Sequence, residues 1–298
     1  MNSKIFAVFL IIMLIYIIPS ANAQQINVAE KAKQKSVEVT ISDAGDVHVR
    51  HVVEPSSSPK QIDLIDGTVQ NLTMSNSDGE EKIPTVIGDY DAVLILPSNT
   101  STVVQYDLKD ALSFKDGVWS WDFLYVETTI IIVPQKADWI YVNNRAVNME
   151  SLKGFTCHGC QMTLEYSIDE PRITKNVKWE DKKFAVDIQS LSEINGFNFD
   201  QQAKTITFDV SRGGFVTATV PLELLWGPYA VLFDDENIFF DQSINNGTHV
   251  WLNMKPDSSG KITIVGTTAV PEFPLFAPLA IGFAMIMIVP MVRKLSLR

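Results

Sequence analysis

The only cysteines of the 298-residue chain, Cys157 and Cys160, stand two residues apart in the run F-T-C-H-G-C-Q-M. Sulfurs at that spacing support three chemistries. In the first, His158-Gly159 makes a tight turn whose ends lie within ~7 Å, which suits the ~4.4–6.8 Å between the Cα atoms of a disulfide. In the second, Cys157, His158, Cys160 and Met162 offer thiolate, imidazole and thioether, a donor set for copper(I) or zinc. No second Cys/His pair follows at finger-like spacing, so half of a structural zinc site is missing. The third is a redox CxxC, which normally opens a helix in a thioredoxin-like βαβ unit; the flanks here read as strands.

Other residue groups invite narrower readings. Trp119, Trp121, Phe123 and Tyr125 alternate with Val118, Ser120, Asp122 and Leu124, so four rings share one strand face. Such a row packs a core, or, left open, stacks on sugar rings, with Trp119 and Trp121 as the platform. His48 and His51 lie three apart on a strand-like run and therefore point to opposite faces, which denies them a shared metal. The acidic clusters Asp78-Gly79-Glu80-Glu81, Asp89-Tyr90-Asp91 and Asp234-Asp235-Glu236-Asn237 hold calcium-type oxygens without EF-hand spacing. Asp, Asn and Gly in such clusters commonly build turns. There is no G-x-S-x-G elbow, no phosphate-binding G-x-x-x-x-G-K-[ST] and no H-E-x-x-H, so no motif carries catalysis and the chain reads as a non-enzyme.

The elements that position these residues are short alternating runs separated by turn signals. Ser36–Ser42 reads S-V-E-V-T-I-S and, after Asp43-Ala44-Gly45-Asp46, resumes as V-H-V-R-H-V-V, which is a hairpin pattern. Similar runs include Thr68–Met74, Ala92–Leu96, Val118–Val126, Thr205–Val210, Phe215–Val220, Ile238–Phe240, His249–Met254 and Lys261–Val265. Strands at this spacing predict an all-β fold of two β-sandwich, immunoglobulin-like domains. The polar stretch Asp169-Glu170-Pro171-Arg172 sets the predicted boundary, giving domains at 24–170 and 171–268.

The two ends set the compartment. Lys4, an apolar run from Ile5 to Ile18 and the small-residue triplet Ala21-Asn22-Ala23 form the layout of a secretory signal peptide over 1–23. Phe273 to Val292 is a 20-residue uncharged run followed by Arg293, Lys294 and Arg298. About 20 residues span a bilayer, and the basic tail favours the cytoplasmic side, so 269–298 predicts a membrane tether with a transmembrane helix. The formal net charge is −11, from 24 bases against 35 acids. Four of those bases (Lys4, Arg293, Lys294, Arg298) and one acid (Glu272) sit in the terminal segments, so the middle is more acidic still. An acidic surface argues against nucleic acid as a partner. Asn71, Asn99 and Asn246 each open an Asn-x-Ser/Thr acceptor for N-linked sugar, with Asn99 and Asn246 in polar turn stretches.

The residues V-P-E-F-P at 270–274, the apolar run and the basic tail together resemble the PEF-type C-terminal sorting signal of archaeal surface proteins, with Pro271, Glu272 and Phe273 as the motif. Pro274 stands where a common variant of the signal in related surface proteins has Gly. The resemblance implies an archaeosortase as processing partner and a lipid in exchange for the tail, beside the plainer reading of a single-pass anchor. The turn spacing over 205–266, with Gly213-Gly214-Phe215 and Gly227-Pro228-Tyr229, resembles the membrane-proximal β-domain found beside such tails. The expectation is thus a glycoprotein anchored at the archaeal cell surface, a structural or interaction module meeting surface-layer proteins or glycans. The alternatives are an extracellular copper, zinc or redox protein built on the CxxC turn, and a glycan-binding module.

Overall fold

The computed structural model describes residues 29–179 and 181–269. The signal-peptide segment, the motif Pro271, Glu272, Phe273 and the apolar run after it lie outside the described residues. Every regular element among those residues is a strand, and the stacked sheets belong to the sandwich class. Alternation acts as the sequence implies: Val37, Val39 and Ile41 are buried, as are Val47, Val49 and His51, while the residues between them reach outward. The turn between these strands closes when Ser42 N donates to Asp46 O (2.9 Å) and Gly45 N to Ser42 O (3.0 Å).

The described chain divides into two compact units. The first comprises residues 29–35, 52–65 and 73–104. Its four-stranded sheet runs in the order Glu30–Lys31, Lys60–Asp63, Ala92–Ile95, Thr85–Ile87; the first pair is parallel and the others antiparallel. Ile62, Leu64, Ile65, Val93 and Ile95 are among its buried residues around this sheet. Lys60–Asp63 escapes the sequence pattern because K-Q-I-D buries Gln61 as well as Ile62, so no polar alternation marks it.

The second unit comprises residues 36–51, 66–72 and 105–269. Thr129–Ile132 lies parallel to residues 37–40 on one side and antiparallel to Gly154–Cys157 on the other. A five-stranded sheet follows in the order Ser113–Lys115, Val118–Tyr125, Cys160–Tyr166, Trp139–Val142, Arg145–Asn148. The remaining chain builds two more five-stranded sheets. One is ordered Arg172–Trp179, Lys182–Ser190, Val216–Pro221, His249–Met254, Phe240–Asn245, and the other Ile194–Asp200, Thr205–Val210, Gly260–Val265, Ala230–Phe233, Glu236–Asn237. Val186, Ile188, Val216, Ala218, Val220 and Leu252 from the first sheet and Ile206, Phe208, Val210, Val231, Ile262 and Ile264 from the second form one apolar core. Residues 105–170 and 171–269 fall within the same unit. The expected strand Ile238–Phe240 is interrupted: Ile238 N donates to Val231 O (3.0 Å), and pairing with His249–Met254 begins only at Phe240.

Candidate functional site

Cys157 ends Gly154–Cys157, which pairs with Thr129–Ile132, whereas Cys160 opens Cys160–Tyr166, which pairs with Val118–Tyr125. The turn between them joins strands of two different sheets. It lies against a second crossover, because Gly159 has φ +59° and a Cβ there would stand 2.7 Å from the Val126 carbonyl oxygen. The two sulfurs lie side by side, with Cα atoms 5.8 Å apart. His158 is exposed and its Nδ1 is 3.3 Å from Thr128 Oγ1. Met162 is buried on the inward face of its strand, in register with Phe123. Among the described residues no three His, Cys, Asp or Glu side chains converge as a metal-ligating group.

The aromatic row turns inward. Trp121, Phe123 and Tyr125 are buried, with Trp121 edge-on to Phe123 at 5.1 Å. Trp119 is half-buried; its indole covers Gly45, where a Cβ would meet the ring at 2.4 Å, and it tilts against Phe114 at 4.6 Å. The row therefore presents no flat face to solvent at Trp121, because burial of three large rings is what closes this sheet.

The histidines point to opposite faces. Exposed His48 places Nδ1 2.8 Å from Asp107 Oδ1, and Asn71 Nδ2 donates to Asp107 Oδ2 at 2.7 Å. The Asn71 hydrogen bond, and then that of His48, hold the Asp107 carboxyl below its usual range. His51 is fully buried, with Nε2 3.0 Å from the Tyr106 hydroxyl, the Tyr106 ring stacked on it and Tyr125 edge-on. Burial pushes its pKa down to about 3, so its imidazole is neutral in the folded protein.

The acidic clusters make turns. Asp234 and Asp235 have φ 46° and 67° and connect Phe233 to its partner Glu236, while Asp234 Oδ1 accepts from Lys261 N at 2.8 Å. Asn76 Oδ1 accepts from the backbone of Asp78 and Glu80 (3.1 and 2.8 Å), which folds the Asp78–Glu81 segment on itself. Tyr90 takes φ 64° between Asp89 and Asp91. Of the three acceptor asparagines, Asn71 spends its amide nitrogen on Asp107, and Asn99 is exposed in the 96–101 turn. Asn246 turns only its oxygen inward, accepting from Thr248 N, Thr248 Oγ1 and His249 N at 2.8–3.0 Å.

A polar cleft of about 590 Å³ is lined by Tyr141, Asn143, Asn144, Arg145, Phe239, Asn253 and Lys255, among others. It is positioned by a two-residue hairpin. Asn143 and Asn144 take φ 50° and 63° between Val142 and its partner Arg145, the left-handed pair that asparagine tolerates best after glycine. The Tyr141 ring stacks on Phe215 at 3.9 Å. Its hydroxyl is buried without a hydrogen-bond partner among the described residues, beside Thr217, whose own proton goes to Asn253 Oδ1 at 2.8 Å. Burial above all, with help from Glu170, Asp241 and Glu165, drives the phenol pKa far up, so it stays protonated. Both cations are neutralised: Lys255 Nζ donates to both oxygens of Glu165 at 2.8 Å, and Arg145 lies 3.9 Å from Asp241. Such a cleft can seat a neutral polar group, and it holds no nucleophile paired with a base. The sequence reading missed it; the signal was there in V-N-N-R, a short hairpin turn that puts Tyr141 and Arg145 beside each other.

Comparison of the chain with protein-family models and with curated proteins finds no match.

Proposed function

We propose that the chain is a non-catalytic cell-surface protein, exported by its first 23 residues and tethered through 269–298, that serves the archaeal envelope as a structural or interaction module. The observation that carries this reading is the exit of the fold. Thr268–Ala269 is still hydrogen-bonded strand, paired with Leu225–Trp226, and the uncharged run begins four residues later. A payload rigid up to its last strand, built of sandwich sheets without helix among the described residues, is what a stalk or adhesion module requires. Residues 171–268 act as its immunoglobulin-like membrane-proximal part. The Cys157–Cys160 pair is a disulfide that fixes the sheet-to-sheet corner, a form that exterior conditions preserve. A copper or zinc centre at Cys157, His158, Cys160 and Met162 would need free thiolates and would have to draw Met162 out of the core.

Fractionation of native membranes and protease treatment of intact cells test the reading. The tethered protein sediments with membranes and loses its exterior mass to protease added outside. Full-length protein recovered in the cytosol with its initiating methionine would sink it. The processing partner is tested by the same preparation: lipid exchange by an archaeosortase removes the 274–298 peptides from the mature protein, and a plain anchor retains them.

A further inference from the structure

We infer that the pole of the second unit from which the chain departs seats on the surface of the bilayer that tethers it, with Trp226 as the side chain that enters the headgroup layer. This rests on the tethered reading of the 273–292 run.

Register defines that pole. Pro221 pairs with His249 and Trp179 with Lys182, so the 245–249 hairpin tip and the paired Trp179 and Lys182 lie at the same end of their sheet as the start of Leu225–Trp226. An open cleft of about 600 Å³ brings Lys183, Glu223, Trp226, Gly247 and His249 onto one surface. Trp226 is 53% exposed, the largest side chain offered to solvent there. Its exposure does not come from a slack loop. Trp226 O accepts from Thr267 N at 2.8 Å, Gly227 O accepts from Thr267 Oγ1 at 2.6 Å, and Tyr229 lays its ring across Gly227 while donating its hydroxyl proton to Leu225 O at 2.8 Å. On the other side, a Cβ at Gly266 would stand 2.6 Å from the Leu225 side chain. The backbone is thus clamped on both flanks, and the indole is held outward.

Chain length commits the occupant. Trp226 is the register partner of Thr268, and Phe273 follows five residues later. Paired Cα atoms lie ~5 Å apart and extended chain covers at most ~3.6 Å per residue, so Trp226 can stand no farther than about 24 Å from the first residue of the apolar run. Indole is the side chain that prefers the water–hydrocarbon boundary. A tether of this length gives a weak contact an effective concentration in the millimolar range. Charge at this pole is mixed: Lys183 and Glu223 line the cleft, Lys182 lies 3.4 Å from Glu223, and Lys204 donates to Thr267 O, in a chain of net charge −11. The contact is accordingly aromatic insertion, with little dependence on salt.

The test uses the full chain, made in a host that adds no N-linked sugar and reconstituted into vesicles with and without lipid brominated near the headgroup end of its acyl chains. The expected result is quenching of part of the tryptophan emission, lost in Trp226→Phe, with circular dichroism unchanged. A flexible insert of about 20 residues after Ala269 dilutes the tether and reduces the quenching in the otherwise wild-type chain. If the protein floats with the vesicles but Trp226→Phe is quenched as strongly as wild type, the seating is wrong and the tether stands. If the protein does not float with vesicles at all, the tethered reading itself fails. Full occupancy of Asn246 by sugar in native material would also overturn the seating, because the 246–248 tip borders the same cleft as Trp226.

Discussion

His51 lies wholly inside the second unit between Tyr106 and Tyr125, and its neutrality costs the fold something in acid. Its folded pKa of about 3 is below the ordinary 6.5, so between those values the unfolded chain binds a proton that the folded one refuses. Stability from this residue is complete above 6.5 and declines as pH falls toward 3, at about 1.4 kcal/mol per pH unit for one proton. Urea titrations of wild type and His51→Phe across pH 7 to 4 are expected to converge and then cross: the variant starts lower, by about 1–2 kcal/mol for the lost Tyr106 bond, and has the flatter slope. Glu170 runs the other way. Burial raises it to about 6 from 4.5, so its protonated form favours the fold below 4.5 and that contribution is lost as pH rises through 6. At the acceptor sites, site-resolved mass spectrometry is expected to find sugar on Asn99 and none on Asn71, whose amide nitrogen is engaged by Asp107 within a strand.

At the scale of elements, the corner at Cys157–Cys160 is where two sheets exchange strands, and the disulfide and Gly159 fix it differently. A ring of four residues closes little chain entropy, so breaking it costs about 2 kcal/mol on the loop-closure model. Gly159→Ala forces a left-handed φ and a Cβ against the Val126 carbonyl, and is expected to cost about 1–3 kcal/mol with the cysteines intact. Thermal melts of Cys157→Ser and Gly159→Ala, with thiol alkylation before and after mild reductant, check both; a thiol reactive before reduction contradicts the bonded pair. This corner also shows what the sequence hides. Its tight turn was legible from His-Gly between apolar runs, but local pattern says nothing about which sheet each flank joins, since that is decided by long-range pairing with Val118–Tyr125 and Thr129–Ile132. The hairpin at Ser36–Val53 was legible because one face is buried and the other wet. Ile194–Asp200 was not, because its residues are mostly exposed and a bulge between Asn195 and Asn198 breaks the period. Trp226 and Tyr141 escaped for the same reason: exposure at a pole and burial in a cleft are properties of packing.

For the second unit as a whole, the question is whether residues 105–170 and 171–269 melt separately, as two beads on the Pro171 stretch, or together. The contacts across that stretch are neither sparse nor purely polar. Trp139, Tyr141 and Ala146 share a buried cluster with Phe215, against which Val118 and Trp251 also pack. Gln189 Nε2 donates to Asp138 Oδ2 at 2.8 Å, Ala146 N to Asp241 Oδ2 at 3.1 Å, and Lys255 to Glu165. Phe215 is the keystone, since it stacks on Tyr141 from the start of the Val216–Pro221 strand and carries the Lys255 ammonium 5.2 Å above its ring. Removing a buried phenyl ring costs about 3–5 kcal/mol, and a shared seam distributes that loss to both sides. Hydrogen exchange on Phe215→Ala is therefore expected to lower protection equally in Trp139–Val142 and in Val216–Pro221, with wild type melting this unit in a single transition. Loss confined to Val216–Pro221 would mean that the seam couples nothing and that each half carries its own stability.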